Sequence, residues 1–327
     1  MWLRWISGVL TGTLIVAVTS PLFVRSYLPR HPSRITSEGA VWTLPAGGEY
    51  RWRAEGYATT AIGPHGMPGK VTVPGEVTMP GRDASVRRIA LWGDSQAEGV
   101  CVDDAEKIFS QTQRGNGGLC VFPLAQSGDS VNEWVRQFEW AETELGVTEH
   151  VILLVELSDL ILGGESAPDP SRASLWVSAN LPAFLIASIR NLATDASGEL
   201  RSLRFRPGPI PTVSPVGSSQ QQIDFDAALR RIQQEAGATV TIVYAPKLPR
   251  IQGDQIVTSD DDDHLLDSLK RIAVARKINM IDLRPELIAA GRSGHWPHGF
   301  HNGQFGSGHL NATGNAIVAK AIARHFR

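Results

Sequence analysis

The chain has almost no cysteine and almost no net charge: its 327 residues hold two cysteines and a formal charge of -2. Two cysteines are too few for the framework of a small disulfide-built scaffold. They leave two readings open, one bridge between Cys101 and Cys120 in an oxidising compartment or two buried thiols. A pI near 6.5 with no lysine- or arginine-rich stripe offers nothing to a phosphate backbone, so nucleic acid is not an expected partner. Disorder is excluded by composition, because 42% of residues are hydrophobic and only 20% are charged. The length suits one catalytic domain with appendages.

Long apolar runs are scarce too, with one exception. Residues 6–24 carry no charge and lie between Arg4 and Arg25. A run of that length can cross a hydrocarbon core, so residues 1–24 are expected to form a transmembrane anchor with the lipid bilayer as partner. A cleaved signal peptide fits less well, since Pro21 follows Ala17-Val18-Thr19-Ser20 and no small-x-small cleavage site ends the run. Arginines flank both sides, which leaves the orientation open.

Residues 25–85 are punctuated by Gly63-Pro64, Pro68-Gly69, Pro74-Gly75 and Pro80-Gly81, and read as a stalk or extended lead-in. Trp42, Tyr50 and Trp52 imply that part of it packs on the domain as short strands. The stretch 63–70 is not a phosphate loop: its spacing is one residue too long, and Val71 stands where a metal-binding hydroxyl is needed.

From residue 86 onward, apolar runs at 89–92, 121–122, 151–155, 240–244 and 280–283 read as five buried strands. Amphipathic stretches at 131–145, 225–235, 264–276 and 311–326 read as helices between and after them. The alternation predicts a three-layer α/β/α domain over 86–327, built on a five-stranded parallel sheet. Residues 163–222 are long for a connection and read either as a lid, with a helix at 174–192, or as a surface insertion. The acids Asp260 to Asp263 precede an apolar-periodic stretch and are expected to start a helix.

A serine hydroxyl becomes a nucleophile only beside a base, and it is useful only where donors can hold an oxyanion. Leu91-Trp92-Gly93-Asp94-Ser95 provides such a setting, a strand ending in a tight glycine turn with Ser95 opening the next helix. Ligands in parallel α/β sheets bind at the carboxyl ends of strands, where Ser95, Gly128 and Asp159 would all lie.

Residues 88–99, together with Ala125-Gln126-Ser127-Gly128 and His309-Leu310-Asn311-Ala312-Thr313-Gly314, resemble the sequence blocks of the SGNH, or GDSL-type, hydrolases. The resemblance implies a flavodoxin-like SGNH fold and acyl-ester hydrolysis without a cofactor. It implies Ser95 as nucleophile and His309 as base, with Ser95, Gly128 and Ser158 forming the oxyanion hole and Asp94 and Asp159 in supporting positions. Two departures stand out. The third block reads Glu156-Leu157-Ser158-Asp159 in place of Gly-x-Asn-Asp, and Gly306-Ser307-Gly308 precedes His309 where the family has an aspartate three residues before its histidine. A Ser95–His309 dyad is the expectation that follows; it can work if a main-chain carbonyl holds the imidazole, and what orients His309 is left open. His295, His298 and His301 recur every three residues, but Pro297 and Gly299 break any common helix face, so no metal site is expected there.

The expected protein is a membrane-anchored, extracytoplasmic (periplasmic or cell-surface) serine esterase acting on an acylated small molecule or polysaccharide, such as an O-acetylated cell-surface carbohydrate. Acyl transfer to a polysaccharide by the same Ser-His site is a second reading. A binding or assembly protein with a decayed site, motivated by the two departures, is a third.

Overall fold

In the computed structural model, residues 2–23, 30–52, 55–71, 86–163, 223–259 and 263–327 are described. The chain opens with helix α1 (Trp2–Phe23). Two antiparallel ribbons follow, β1 (His31–Thr36) with β2 (Gly39–Thr43), and β3 (Glu49–Trp52) with β4 (Ala58–Ala61). The domain then alternates β5 (Arg87–Trp92), α2 (Ser95–Glu98), α3 (Ile108–Gly115), β6 (Leu119–Pro123), α4 (Val131–Val135), α5 (Phe138–Glu144) and β7 (Glu149–Leu154). After residue 222 come α6 (Phe225–Glu235), β8 (Thr239–Tyr244), a hairpin of β9 (Arg250–Gln252) and β10 (Gln255–Val257), α7 (Asp263–Ala275), β11 (Asn279–Asp282), α8 (Arg284–Arg292) and α9 (Ala312–His325).

Five strands form one parallel sheet in the order β11-β8-β7-β5-β6, so the predicted α/β architecture is what the chain adopts. Side chains along each strand alternate between two cores. Ala90, Trp92, Phe122, Ile152 and Ile242 face α4 to α7, where they meet Trp134, Phe138, Leu229 and Leu269. Ile89, Leu91, Val121, Leu153 and Val243 face the other way, toward Ile108 of α3, Leu287 of α8 and Ile322 of α9. Burial on both faces is why these strands read in the sequence as apolar runs rather than as alternating patterns. The strand order reverses at β5, whose neighbours β6 and β7 both follow it in the chain. A crevice at the carboxyl ends belongs at such a switch point.

The helix expected over 131–145 is broken into α4 and α5, with Gln137 standing before α5 and bonding back to the Glu133 carbonyl. Asp263 does open α7, and Asp260 to Asp262 lie outside the described residues, as does the helix expected at 174–192. Cys101 and Cys120 are not bridged. Cys101 packs with Tyr50, Ile62 and Val100, while Cys120 is part of the main core.

The described lead-in is docked onto the domain. Arg34 of β1 is fully buried and donates to the Gln137 side chain at 2.6 Å, to the Leu124 carbonyl at 3.3 Å and to the His65 carbonyl at 3.1 Å. Burial lowers its pKa to about 10, against the favourable charge of Asp129. A buried guanidinium is tolerable only with such acceptors, so the ribbon cannot lift away cheaply. In contrast, α1 leaves Val9, Leu10, Leu14 and Ile15 exposed. The expected anchor is not confirmed: among the described residues no helix is long and apolar enough to cross a membrane.

Candidate active site

β5 ends at Gly93, whose φ of +148° suits glycine, and any Cβ there would come within 2.9 Å of the Leu153 carbonyl oxygen. Trp134 Nε1 donates to the Gly93 carbonyl at 3.2 Å and steadies the turn. Asp94 then caps the short helix α2, its carboxylate accepting the Gln96 N–H at 2.9 Å. Ser95 is the first residue of that helix, so its N–H is one of the donors a helix start leaves unpaired. At the far end of α2, the buried Lys107 ammonium donates to the Glu98 and Gly99 carbonyls at 2.8 and 2.7 Å, and desolvation lowers its pKa to about 8.

His309 reaches Ser95 from the loop before α9, with 3.0 Å between Nε2 and Oγ. Two contacts set this approach. The Leu310 N–H donates to the Gln96 side chain at 2.7 Å, which ties the residue after the serine to the residue after the histidine. Asn311 caps α9 by accepting from Thr313 and Gly314, while its Nδ2 donates to the Trp296 and Gly299 carbonyls.

The imidazole is held by a carboxylate, a partner for His309 that the sequence left open. Glu55, from the loop between β3 and β4, accepts from His309 Nδ1 through Oε2 at 2.7 Å and from the His309 main-chain N–H through Oε1 at 2.9 Å. Burial raises the Glu55 carboxyl, but the two hydrogen bonds and the charge of His309 outweigh it and leave the group below its ordinary value. Gly308 makes the approach possible: with φ at +82°, a Cβ there would lie 1.9 Å from Glu55 Oε1. Asn302 clamps the next residue, accepting the Gly56 N–H at 2.8 Å and donating to its carbonyl at 3.1 Å. The Trp52 ring stands edge-on to His309, 6.0 Å between centroids.

Glu98 couples the serine turn to the second block. Its carboxylate accepts from Tyr50 Oη at 2.7 Å, from the Ser127 N–H at 2.7 Å and from Ser127 Oγ at 2.6 Å. Gly128 is thereby held after β6, next in the sheet to β5, at φ +86° and with open space where a Cβ would project. Ser158 and Asp159 lie in a single turn after β7, on the other side of β5. Ser158 is exposed. Burial, reinforced by Asp94 and Glu156, pushes the Asp159 carboxyl up to about 7, and burial also raises Asp94. All the expected residues therefore sit at the carboxyl edge of β5 or its neighbours, except His309, which comes in from the loop before α9.

The three periodic histidines do not converge. His298 is buried and donates from Nε2 to the Pro246 carbonyl at 3.0 Å, His301 stacks on Tyr57, and His295 meets Ser293 Oγ. Glu55 itself carried no motif. The signal available for it was the empty position before His309, together with a glutamate-glycine turn between aromatic strands.

No family model matches the chain, and no curated protein matches it. Among solved structures, it is similar to a lipolytic protein of the G-D-S-L family from Veillonella parvula, at 15% identity and a TM-score of 0.39, over 73% of this chain and 97% of that one. A lipase/acylhydrolase from Enterococcus faecalis aligns at 14% identity and a TM-score of 0.40, over 74% and 95% of the two chains. An acetyl xylan esterase aligns at 12% identity and a TM-score of 0.37, over 71% and 96%. The carboxylate that holds His309 comes from a segment ahead of β5 in the chain.

Proposed function

We propose that the protein is a serine ester hydrolase of SGNH type, with Ser95 as nucleophile, His309 as general base and Glu55 as the acid that orients it. The observation carrying this reading is the unbroken line from Ser95 Oγ through the His309 ring to Glu55, with hydrogen bonds of 3.0 and 2.7 Å. With Nδ1–H donated to Glu55, Nε2 presents its lone pair to the serine, the tautomer a general base needs. Ser95 attacks the acyl carbon as its proton passes to Nε2. The N–H groups of Ser95 and Gly128, with the Ser158 hydroxyl, take up the oxyanion. His309 then returns the proton to the departing alcohol, and water repeats the sequence to free the acid.

Of the two departures behind the decayed, binding-only reading, Glu55 answers the missing acid and leaves the altered third block at Ser158. The substrate in this reading is an acylated small molecule or polysaccharide outside the cytoplasm, an O-acetylated carbohydrate being the type that suits a short acyl group. Membrane association through residues 6–24 belongs to the same proposal, supported by the exposed apolar side chains of α1, which call for a non-aqueous cover.

Purified protein is expected to release p-nitrophenol from short-chain p-nitrophenyl esters and to be labelled by a fluorophosphonate at Ser95. Ser95→Ala should abolish both. Folded wild-type protein inert in both assays would sink the proposal. An acceptor-dependent acylated product would move it to acyl transfer by the same residues.

A further inference from the structure

We propose that Glu55, Cys101 and His309 form a binding site for a thiophilic divalent cation, Zn2+ foremost, and that its occupancy silences Ser95. The silencing half rests on the function proposed above; the binding half does not.

The sulfur of Cys101, a carboxylate oxygen of Glu55 and a ring nitrogen of His309 all lie within 4.8 Å of one another, the one such grouping among the described residues. Zinc bonds of about 2.0–2.3 Å in tetrahedral array put their ligand atoms about 3.4–3.6 Å apart. The present spacing brackets that: 2.7 Å between Nδ1 and Oε2, and no pair beyond 4.8 Å. Modest side-chain rotation closes the site. The donor set of thiolate, imidazole and carboxylate is one that zinc accepts, and it leaves a fourth position for water.

Sequence features place these three together. Gly56 has φ at +69°, and a Cβ there would come within 2.3 Å of the Cys101 carbonyl oxygen, so only glycine lets the Glu55 turn lie against Cys101. Cys101 is buried, whereas the side chains of His309 and Glu55 keep 22% and 18% of their surface open to solvent. A cation can therefore arrive from the solvent side and meet the thiol last. The SGNH reaction as proposed gives Cys101 no task.

The chemistry of occupancy is a change of tautomer. As the metal–sulfur bond forms, the Cys101 thiol gives its proton to solvent. Nδ1 exchanges its hydrogen bond to Glu55 for a bond to the metal. The neutral ring keeps one proton, now on Nε2, where it is donated to Ser95 Oγ. A ring in that state has no lone pair for the serine proton, and nothing is oxidised or reduced.

The test uses the full chain after dialysis against a chelator. One equivalent of Co2+ should produce a near-ultraviolet thiolate-to-cobalt charge-transfer band that Zn2+ displaces. Cys101→Ser and Cys101→Ala should each lose the band, and Cys120→Ala, which alters the other buried thiol, should keep it. One equivalent of Zn2+ should block fluorophosphonate labelling of Ser95, and EDTA should restore it. In Cys101→Ala the Zn2+ needed should rise by more than the roughly 10- to 100-fold typical of losing an outer-shell partner. No band in the wild type, or an equal band in Cys101→Ala, overturns the site; bound Zn2+ that leaves labelling intact overturns the silencing. A Cys101-dependent cobalt band from a protein that never labels when metal-free would uphold the site and bring down the proposed nucleophile instead.

Discussion

Glu55 holds His309 at two points, one carboxylate oxygen 2.7 Å from Nδ1 and the other 2.9 Å from the main-chain N–H of the same residue. The double contact fixes ring position and tautomer together, and the residues concerned are 254 positions apart. No carboxylate stands in the residues just ahead of His309, and the acid is instead a glutamate delivered by a ribbon. The ribbon is itself pinned to the domain through Tyr50 and Glu98.

Glu55→Gln is the direct test of that contact. A glutamine must turn its amide NH2 toward one of two N–H groups, so it cannot satisfy both. We expect kcat for a p-nitrophenyl ester to fall by up to about 10,000-fold, the effect of losing the orienting acid of a triad, with KM little changed. Unchanged kcat in a folded variant would remove Glu55 from the mechanism.

Gly308→Ala and Gly128→Ala should behave differently despite their similar φ of +82° and +86°. Each carries a left-handed backbone cost of about 1–2 kcal/mol for a residue with a Cβ. At Gly308 the methyl would also sit 1.9 Å from Glu55 Oε1, whereas at Gly128 it meets open space. Thermal unfolding with steady-state kinetics should show both variants losing stability. Only Gly308→Ala should approach the kcat of Glu55→Gln.

Asp159 gives the site a pH dependence whose sign can be stated. Its carboxyl, pushed up to about 7 first by burial and then by Asp94 and Glu156, is neutral below that pH and negative above it. A negative charge beside a developing oxyanion opposes it. Asp159→Asn removes the titration, so the ratio of variant to wild-type kcat should rise as pH increases through about 7. A flat ratio from about pH 6 to about pH 8.5, bracketing the ordinary tuning range of catalytic acids, would place Asp159 outside the reaction's field.

Asp129 should act on stability instead. Burial pushes its carboxyl up to about 8, with Arg30 opposing and Glu133 adding, and Oδ2 has no hydrogen-bond partner among the described residues. Between the ordinary value of 3.8 and about 8, the folded chain keeps a proton there that the unfolded chain has released. Stability must therefore fall as pH rises through this window, by up to about 1.4 kcal/mol per pH unit for one proton. Urea unfolding of Asp129→Asn should show that slope removed and the protein more stable than wild type at pH 8. A wild-type slope that persists in the variant would assign it to another group.

The sequence by itself determined the sheet and the turns that present Ser95 and His309, while their 3.0 Å approach is a matter of tertiary packing. Strands buried on both faces must be apolar throughout, and Gly93-Asp94-Ser95 and Gly308-His309 are local signals that tight turns and helix starts impose. It did not reveal the break between α4 and α5, because Val131, Trp134, Val135 and Phe138 keep a helical spacing across it. Nor did it disclose the acid. A carboxylate needs only one hydrogen-bond length of approach to orient an imidazole, and any loop that folding brings near can supply it. Glu55 is decided by the docking of β3 and β4 on α2, by the glycine at 308 that leaves room for its oxygen, and by Asn302 closing on Gly56. The placing of Cys101 beside the same carboxylate is likewise a product of packing, since nothing along the chain links position 101 to 55 or 309.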